Sequence, residues 1–85
     1  MTTKFRKDYK LCKKRGLDMS LLQDIINILL REEPLPERCK DHPLIGDYGG
    51  FRECHVLPDW LLIYAVQQDR LVLTAARTGT HSDLF

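Results

Sequence analysis

The sequence has no long hydrophobic run. Its longest apolar stretch, residues 25–30, is interrupted by Asn27 and is far shorter than the ~20 residues that a membrane-spanning helix needs. The first residues are polar and basic, without the apolar stretch of a secretory signal peptide. We therefore predict a protein of the cytoplasm with no membrane partner.

Cysteine is also scarce. The three cysteines, Cys12, Cys39 and Cys54, cannot all pair, and their spacing matches no disulfide framework. We predict reduced thiols in a reducing compartment, which agrees with a cytoplasmic location.

Repeats and low-complexity segments are absent, and 44% of the 85 residues are hydrophobic and 29% charged. This composition predicts one small globular domain over residues 1–85.

Charge is unevenly distributed along the chain. Residues 1–15 hold seven basic groups against one acid, a net +6, whereas residues 16–85 carry a net −5. This asymmetry indicates one basic face, which either meets an anionic partner such as nucleic acid or is only solvated.

Hydrophobic spacing predicts two helices in the first half. Phe5, Tyr9 and Cys12 follow helical spacing over residues 4–15, where Thr2 or Thr3 is a candidate N-cap and Gly16 a C-terminal stop. A second helix is predicted from Met19 to Glu32, capped by Asp18 or Ser20 and ended by two prolines, Pro34 and Pro36.

The second half changes to strand-like spacing. Three runs, residues 51–57, 60–66 and 71–76, are joined by links so short that only an antiparallel meander is possible. Both faces of the middle run are apolar, which predicts a central strand. Residues 78–80 are expected to turn into a short tail. The predicted class is α+β, with two N-terminal helices packed on a small antiparallel sheet.

Three histidines, His42, His55 and His81, lie near the ends of different predicted elements. Histidine can act as acid or base near neutral pH. If the meander brings these residues to one edge, two imidazoles and an arginine supply what RNA cleavage requires. A base activates the 2′-hydroxyl, an acid protonates the leaving oxygen, and a cation stabilises the phosphate.

Two other chemistries compete with this interpretation. Cys39 and His42 have zinc-ligand spacing, but no second paired motif exists, and Cys54 and His55 are strand neighbours that should point to opposite faces. A cysteine nucleophile is the other alternative, although no activating context surrounds these thiols, which favours buried cysteines.

Three further residues are ambiguous from the pattern alone. Trp60 either fills the core or stacks with a base, Asp59 either shapes a turn or orients a histidine, and Phe85 is either docked or frayed.

Four segments in the second half carry a specific resemblance. Residues 41–44 read DHPL, residues 49–56 read GGFRECHV, residues 58–64 read PDWLLIY, and residues 77–85 read RTGTHSDLF. In order and spacing they closely resemble the YafQ-type branch of the RelE superfamily of bacterial toxins. Lys13 to Met19 and the stop at Pro34 and Pro36 fit the helical half of that family, so that the similarity covers nearly the whole chain.

The resemblance implies a toxin of a type II toxin–antitoxin module that cuts mRNA in the ribosomal A site without a metal ion or other cofactor. The family's catalytic positions fall on five residues: His42, His55, Asp59, His81 and Phe85. Its RNA-contacting positions fall on Trp60 and on two arginines, Arg52 and Arg77. We add three lysines of the basic first helix as RNA-binding candidates: Lys10, Lys13 and Lys14.

The same resemblance implies the partners, namely a cognate antitoxin, the 70S ribosome with its mRNA, and operator DNA reached only through the antitoxin. A non-catalytic relative that only binds antitoxin and operator DNA is the alternative, but the intact histidine set favours the enzyme. The chain departs from the family in one respect: the usual strand before the first helix is expected to be shortened or missing.

Overall fold

In the computed structural model, which describes residues 2–67 and 72–85, two helices come first. Helix α1 spans Thr3–Lys14 and helix α2 spans Met19–Leu30, which confirms both predictions to within two residues. The side chains of Thr2 and Asp18 cap the two helices by accepting backbone N–H groups. Gly16 has a left-handed φ of 83°, as its predicted C-terminal position requires. No helix of the described residues has the length and apolarity that crossing a bilayer would require.

A four-stranded antiparallel sheet follows the helices. Its strands are β1 (His42–Pro43), β2 (Arg52–Leu57), β3 (Trp60–Gln67) and β4 (Val72–Gly79), in the order β1-β2-β3-β4. The predicted meander is thus confirmed, and β3 is central to it. Of the predicted link at residues 67–70, Gln67 belongs to β3 and the rest lies outside the described residues.

Two sequence predictions are corrected. The predicted loop around residues 41–43 contains strand β1, which is too short to show a strand period. Strand β4 does not end at Ala76 but continues to Gly79, because Thr78 and Gly79 pair with Leu62 and Leu61. The expected turn therefore begins only at Thr80, and the tail forms a short helix, α3 (His81–Leu84).

Both faces of the sheet are covered, as the two apolar faces of β3 predict. On one face Trp60, Leu62 and Tyr64 pack with the apolar sides of α1 and α2. On the other face Leu61 and Ile63 pack with Leu84 of α3 and with partly buried residues of the 44–51 loop. Residues alternate between these faces along β2, because successive strand side chains point to opposite sides.

In the described residues, which begin at Thr2, no strand precedes α1. Thr2 is extended and meets the edge of β4, where its N–H lies 3.4 Å from the Ala75 carbonyl oxygen and its hydroxyl donates to the Ala76 carbonyl at 2.8 Å. A single residue therefore covers part of the β4 edge.

Candidate active site

Two of the three histidines converge on one buried carboxylate. His42 on β1 lies directly opposite Glu53 on β2 in the strand register. The Nε2 atoms of His42 and His55 lie 3.6 and 3.9 Å from Glu53 Oε1. Glu53 is only 4% exposed, so its carboxylate lies between the two imidazoles with little competition from water.

Hydrogen bonds fix the protonation pattern of both rings. Nδ1 of His42 lies 2.7 Å from the Lys40 carbonyl oxygen, and Nδ1 of His55 lies 3.2 Å from the Pro58 carbonyl oxygen. A carbonyl can only accept, so each Nδ1 carries the proton. In the neutral rings Nε2 is therefore the free base, and in both rings it faces Glu53.

Sequence reasoning missed Glu53. Glutamate is usually exposed, and this one lies inside a strand without a motif of its own. Its strand position was a usable signal, because Glu53 and His55 are two residues apart and must share a face. Cys54 and Val56 alternate with them and point to the helix-covered core.

A second polar cluster holds the loop that carries His42. Asp41 Oδ1 accepts hydrogen bonds from the hydroxyl of Tyr64 at 2.5 Å and from Nε of Arg52 at 3.1 Å. Burial, and then the Asp41 carboxylate, raise the pKa of the Tyr64 hydroxyl, so that it stays a donor at any physiological pH. Arg52, predicted to bind RNA, remains partly exposed and uses one of its five N–H donors on Asp41.

The third histidine lies on the tail. The imidazole of His81 and the ring of Phe85 are 5.0 Å apart between centroids, and Phe85 meets Tyr48 edge-on at 5.8 Å. Leu84 anchors this helix in the core at 8% exposure, whereas Phe85 is 58% exposed. Phe85 is thus docked by aromatic contacts and remains accessible.

The register places the tail across the sheet from the histidine pair. His55 is paired with Leu61, and Leu61 with Gly79, two residues before His81. Neighbouring strands are ~4.8 Å apart, so the backbones of His55 and Gly79 are separated by about 10 Å. All three histidines therefore lie on or beside the sheet face that α1 and α2 leave free.

Trp60 is buried in the helix-covered core. Its side chain is 2% exposed, packs in the core below the helices, and donates from Nε1 to the hydroxyl of Thr78 at 2.9 Å. The Thr78 hydroxyl in turn donates to the Leu61 carbonyl at 2.8 Å. Of the two alternatives for Trp60, the structure supports the core residue, and the RNA contact that the resemblance implies stays a prediction.

Arg77 lies in the same row of the sheet as His42 and Glu53. It is opposite Ile63, which is opposite Glu53. Its Nε and Nη2 donate to the two carboxylate oxygens of Asp8 on α1 at 2.7 and 3.2 Å. These contacts fix the guanidinium, and the Arg77 side chain stays 20% exposed.

The other predicted residues lie in the turn after β2 and on α1. Asp59 is exposed in the turn between β2 and β3, next to Pro58, which holds the His55 ring. The three predicted RNA-binding lysines of α1 are exposed on the helical layer, which covers the opposite face of the sheet: Lys10, Lys13 and Lys14.

The cysteines are free and buried, as the sequence favours. Burial raises the pKa of the Cys54 thiol to about 12, so this thiol is neutral and unreactive near pH 7. Within residues 2–67 and 72–85, no three side chains of histidine, cysteine, aspartate or glutamate gather into a metal-binding group. The zinc set considered from the sequence is therefore not assembled.

Comparisons with known proteins show which family the chain is similar to. The family described as "Bacterial toxin of type II toxin-antitoxin system, YafQ" matches residues 1–85. The mRNA interferase toxin YafQ of Escherichia coli strain K12 is 48% identical over 82 residues, which cover 95% of this chain and 87% of the relative.

Two solved structures have the same fold. The chain matched in the crystal structure of the E. coli DinJ–YafQ complex gives a TM-score of 0.90 at 44% identity, over 99% of this chain and 92% of that one. The metal-bound toxin from Helicobacter pylori gives a TM-score of 0.91 at 44% identity, over 99% and 93% of the two chains.

Proposed function

The chain belongs to the family of bacterial YafQ toxins of type II toxin–antitoxin systems, and we propose that it cleaves mRNA in the ribosomal A site without a metal ion. The name of its E. coli relative, mRNA interferase, supports mRNA as the substrate. The observation that carries the proposal is the buried Glu53 carboxylate with the Nε2 atoms of His42 and His55 beside it.

The reaction follows from acid–base chemistry. Nε2 of one of these two imidazoles takes the proton of the ribose 2′-hydroxyl, and the negative charge of nearby Glu53 stabilises the imidazolium that forms. The 2′-oxygen bonds to phosphorus and the bond from phosphorus to the 5′-oxygen breaks. An imidazolium, which we assign to His81, protonates the departing oxygen. The products are a 2′,3′-cyclic phosphate and a 5′-hydroxyl end.

The remaining candidates bind the RNA. The exposed ring of Phe85 stacks with a base or positions His81, and Asp59 holds the turn that orients His55. Arg52 and Arg77 contact the phosphate through the N–H groups that their carboxylate partners leave free. The exposed lysines of α1 add attraction to the RNA of the ribosome, which depends on salt concentration.

A 2′-deoxy substitution tests this mechanism. Ribosomes programmed with an mRNA that carries one 2′-deoxynucleotide 5′ of the cleavage point should resist the toxin, whereas the all-ribose mRNA is cut. A chelator selective for zinc and copper, which leaves ribosomal magnesium in place, should not change the cleavage rate. Cleavage of the deoxy substrate would contradict the 2′-hydroxyl nucleophile, and loss of activity that added metal restores would contradict the metal-free mechanism.

Glu53→Gln tests the carboxylate. It keeps the shape of the side chain but removes the charge, and since acid–base assistance is worth ~10²–10⁴-fold, kcat should fall by at least about tenfold. Glu33→Gln is the matched control, because Glu33 pairs with Arg31 on the exposed surface after α2. Equal activity of the two variants would show that Glu53 has no part in catalysis.

The partner that the DinJ–YafQ complex suggests is an antitoxin, and we propose that it covers the basic first helix. A groove of about 460 Å³ is lined by Phe5, Arg6, Tyr9, Lys10 and Gln23. An apolar floor with a basic rim fits an amphipathic segment that carries acidic residues. Operator DNA would then be reached only through the antitoxin.

A further inference from the structure

An ion pair links the end of α1 to the helix that carries His81. Arg15, the C-cap residue of α1, donates from Nη1 and Nη2 to the two carboxylate oxygens of Asp83 at 2.6 and 3.2 Å. The two residues are 68 positions apart in the chain. This contact is the two-pronged arginine–carboxylate geometry that fixes orientation as well as distance.

The same carboxylate caps the helix. Asp83 Oδ2 accepts the backbone N–H of Thr80 at 2.9 Å, and the Thr80 hydroxyl accepts the N–H of Asp83 at 3.2 Å. These reciprocal bonds form a capping box around His81, the first residue of α3. The position of the first turn of α3 therefore depends on where the Asp83 carboxylate is held.

Gly79 allows the close approach that this arrangement needs. Its φ is +155°, and a Cβ atom added there would lie 2.9 Å from Asp83 Oδ2 and 3.1 Å from Asp83 Cβ. Neither distance is compatible with normal packing, so a larger residue would displace the carboxylate. The end of β4, the capping box and the end of α1 thus form one connected unit.

Resting on the proposed function, we infer that Arg15 is a positioning residue: through Asp83 it holds α3 so that His81 faces the substrate. A helix of four residues is too short to be stable alone. Its tertiary contacts include Leu84 in the core and the Arg15–Asp83 pair at the surface. Leu84 fixes the depth of the helix, whereas the ion pair fixes the direction of its first turn.

A rival explanation is that Arg15 simply binds RNA as one more cation of α1. The two explanations differ for Asp83→Asn, which removes the partner charge but leaves Arg15 and an amide oxygen for the cap. If Arg15 only binds RNA, this variant should bind at least as well as wild type and cleave normally. If the pair positions His81, Asp83→Asn should lose activity as Arg15→Ala does.

The experiment is a double-mutant cycle in the ribosome-dependent cleavage assay. Arg15→Ala and Asp83→Asn should each lower kcat by about three- to tenfold with KM within about twofold, and the double variant should be no worse than the more damaged single variant. Arg15→Lys keeps the charge without the fork and should restore only part of the activity. Arg31→Ala is the matched control, because among the described residues that arginine pairs with nearby Glu33 alone, and its loss should leave kcat unchanged.

A structural measurement separates this inference from the proposed function. Nuclear Overhauser contacts between the rings of Tyr48 and Phe85, whose centroids are 5.8 Å apart, should weaken in Arg15→Ala and persist in Arg31→Ala, whether or not the toxin cleaves RNA. Unchanged contacts together with unchanged kcat would overturn the inference, and so would additive effects in the cycle. If wild type itself does not cleave, the proposed function fails, while the ring contacts still decide whether the ion pair holds the tail.

Discussion

Replacing Trp60 by phenylalanine discriminates between its core role and the RNA contact that the family resemblance implies. The smaller ring keeps an aromatic side chain but loses the indole N–H that donates to Thr78. A buried hydrogen bond contributes about 1 kcal/mol, and the volume lost from a site that is 2% exposed should cost about 1 kcal/mol more. We therefore expect a loss of about 2 kcal/mol in the free energy of unfolding.

Thermal and urea denaturation measure this loss. In a domain of this size 1 kcal/mol corresponds to ~4–8 °C, so the Tm of Trp60→Phe should fall by roughly 10 °C. Thr78→Val removes the other partner of the same bond, and the combined variant should lose about 1 kcal/mol less than the sum of the two, because the shared bond is counted only once.

Activity completes the test. At a temperature where Trp60→Phe is fully folded, its KM on programmed ribosomes should match wild type, since a buried ring does not meet the substrate. A Tm within about 2 °C of wild type, combined with a KM raised severalfold, would refute the core assignment. That result would mean that the indole leaves the core to stack with a base.

Three further predictions follow from the described contacts. Gly79→Ala should lower the Tm and the cleavage rate together, because the added Cβ meets the Asp83 carboxylate at 2.9 Å. Gly16→Ala is the control: this glycine also has a positive φ but has open space around it, so the variant should lower the Tm while preserving cleavage. Equal losses of cleavage in the two variants would contradict this prediction. The Cys54 thiol of the unfolded chain ionises near the ordinary cysteine pKa of 9.0, while burial raises the pKa of the native thiol to about 12. Unfolding therefore releases protons in this range, and the free energy of unfolding should fall as pH rises from 9 to 12. Urea denaturation of Cys54→Ala over this pH range should show a shallower fall, and a slope identical to that of wild type would exclude a Cys54 contribution. Charge reversal of the exposed α1 lysines, Lys10, Lys13 and Lys14, should slow antitoxin association in stopped-flow mixing and flatten the salt dependence of the association rate. Unchanged rates would place the antitoxin elsewhere.

The sequence predicted the parts of the fold that depend on local pattern. Helical spacing located α1 and α2 to within two residues, and alternation with very short links predicted the meander and the central β3. Strand β1 escaped prediction because two residues cannot display a period. The end of β4 escaped it because Thr78 looks like a turn residue in sequence, whereas in the structure its hydroxyl is satisfied by contacts with Trp60 and Leu61.

The candidate site was predictable in its residue types but not in its arrangement. Trp60 illustrates the limit: the strand pattern favoured a core ring, whereas the motif match favoured an RNA contact, and burial agrees with the pattern. Arg15 and Asp83 illustrate it further, because nothing local connects two residues that are 68 positions apart. Long-range pairs of this kind depend on how α1 packs along β4, which neither residue's neighbours encode.

Glu53 shows why strand register matters for the chemistry. The carboxylate faces His42 only because β1 pairs with β2 at that residue, and it shares a face with His55 only because the two are separated by one position. A slip of one residue would turn Glu53 and His55 into the helix-covered core and expose Cys54 and Val56 in their place. Burying a carboxylate without a partner is costly, and exposing apolar side chains forfeits their packing. The hydrophobic pattern of β2 that stabilises the fold therefore also fixes the positions of the proposed acid–base residues.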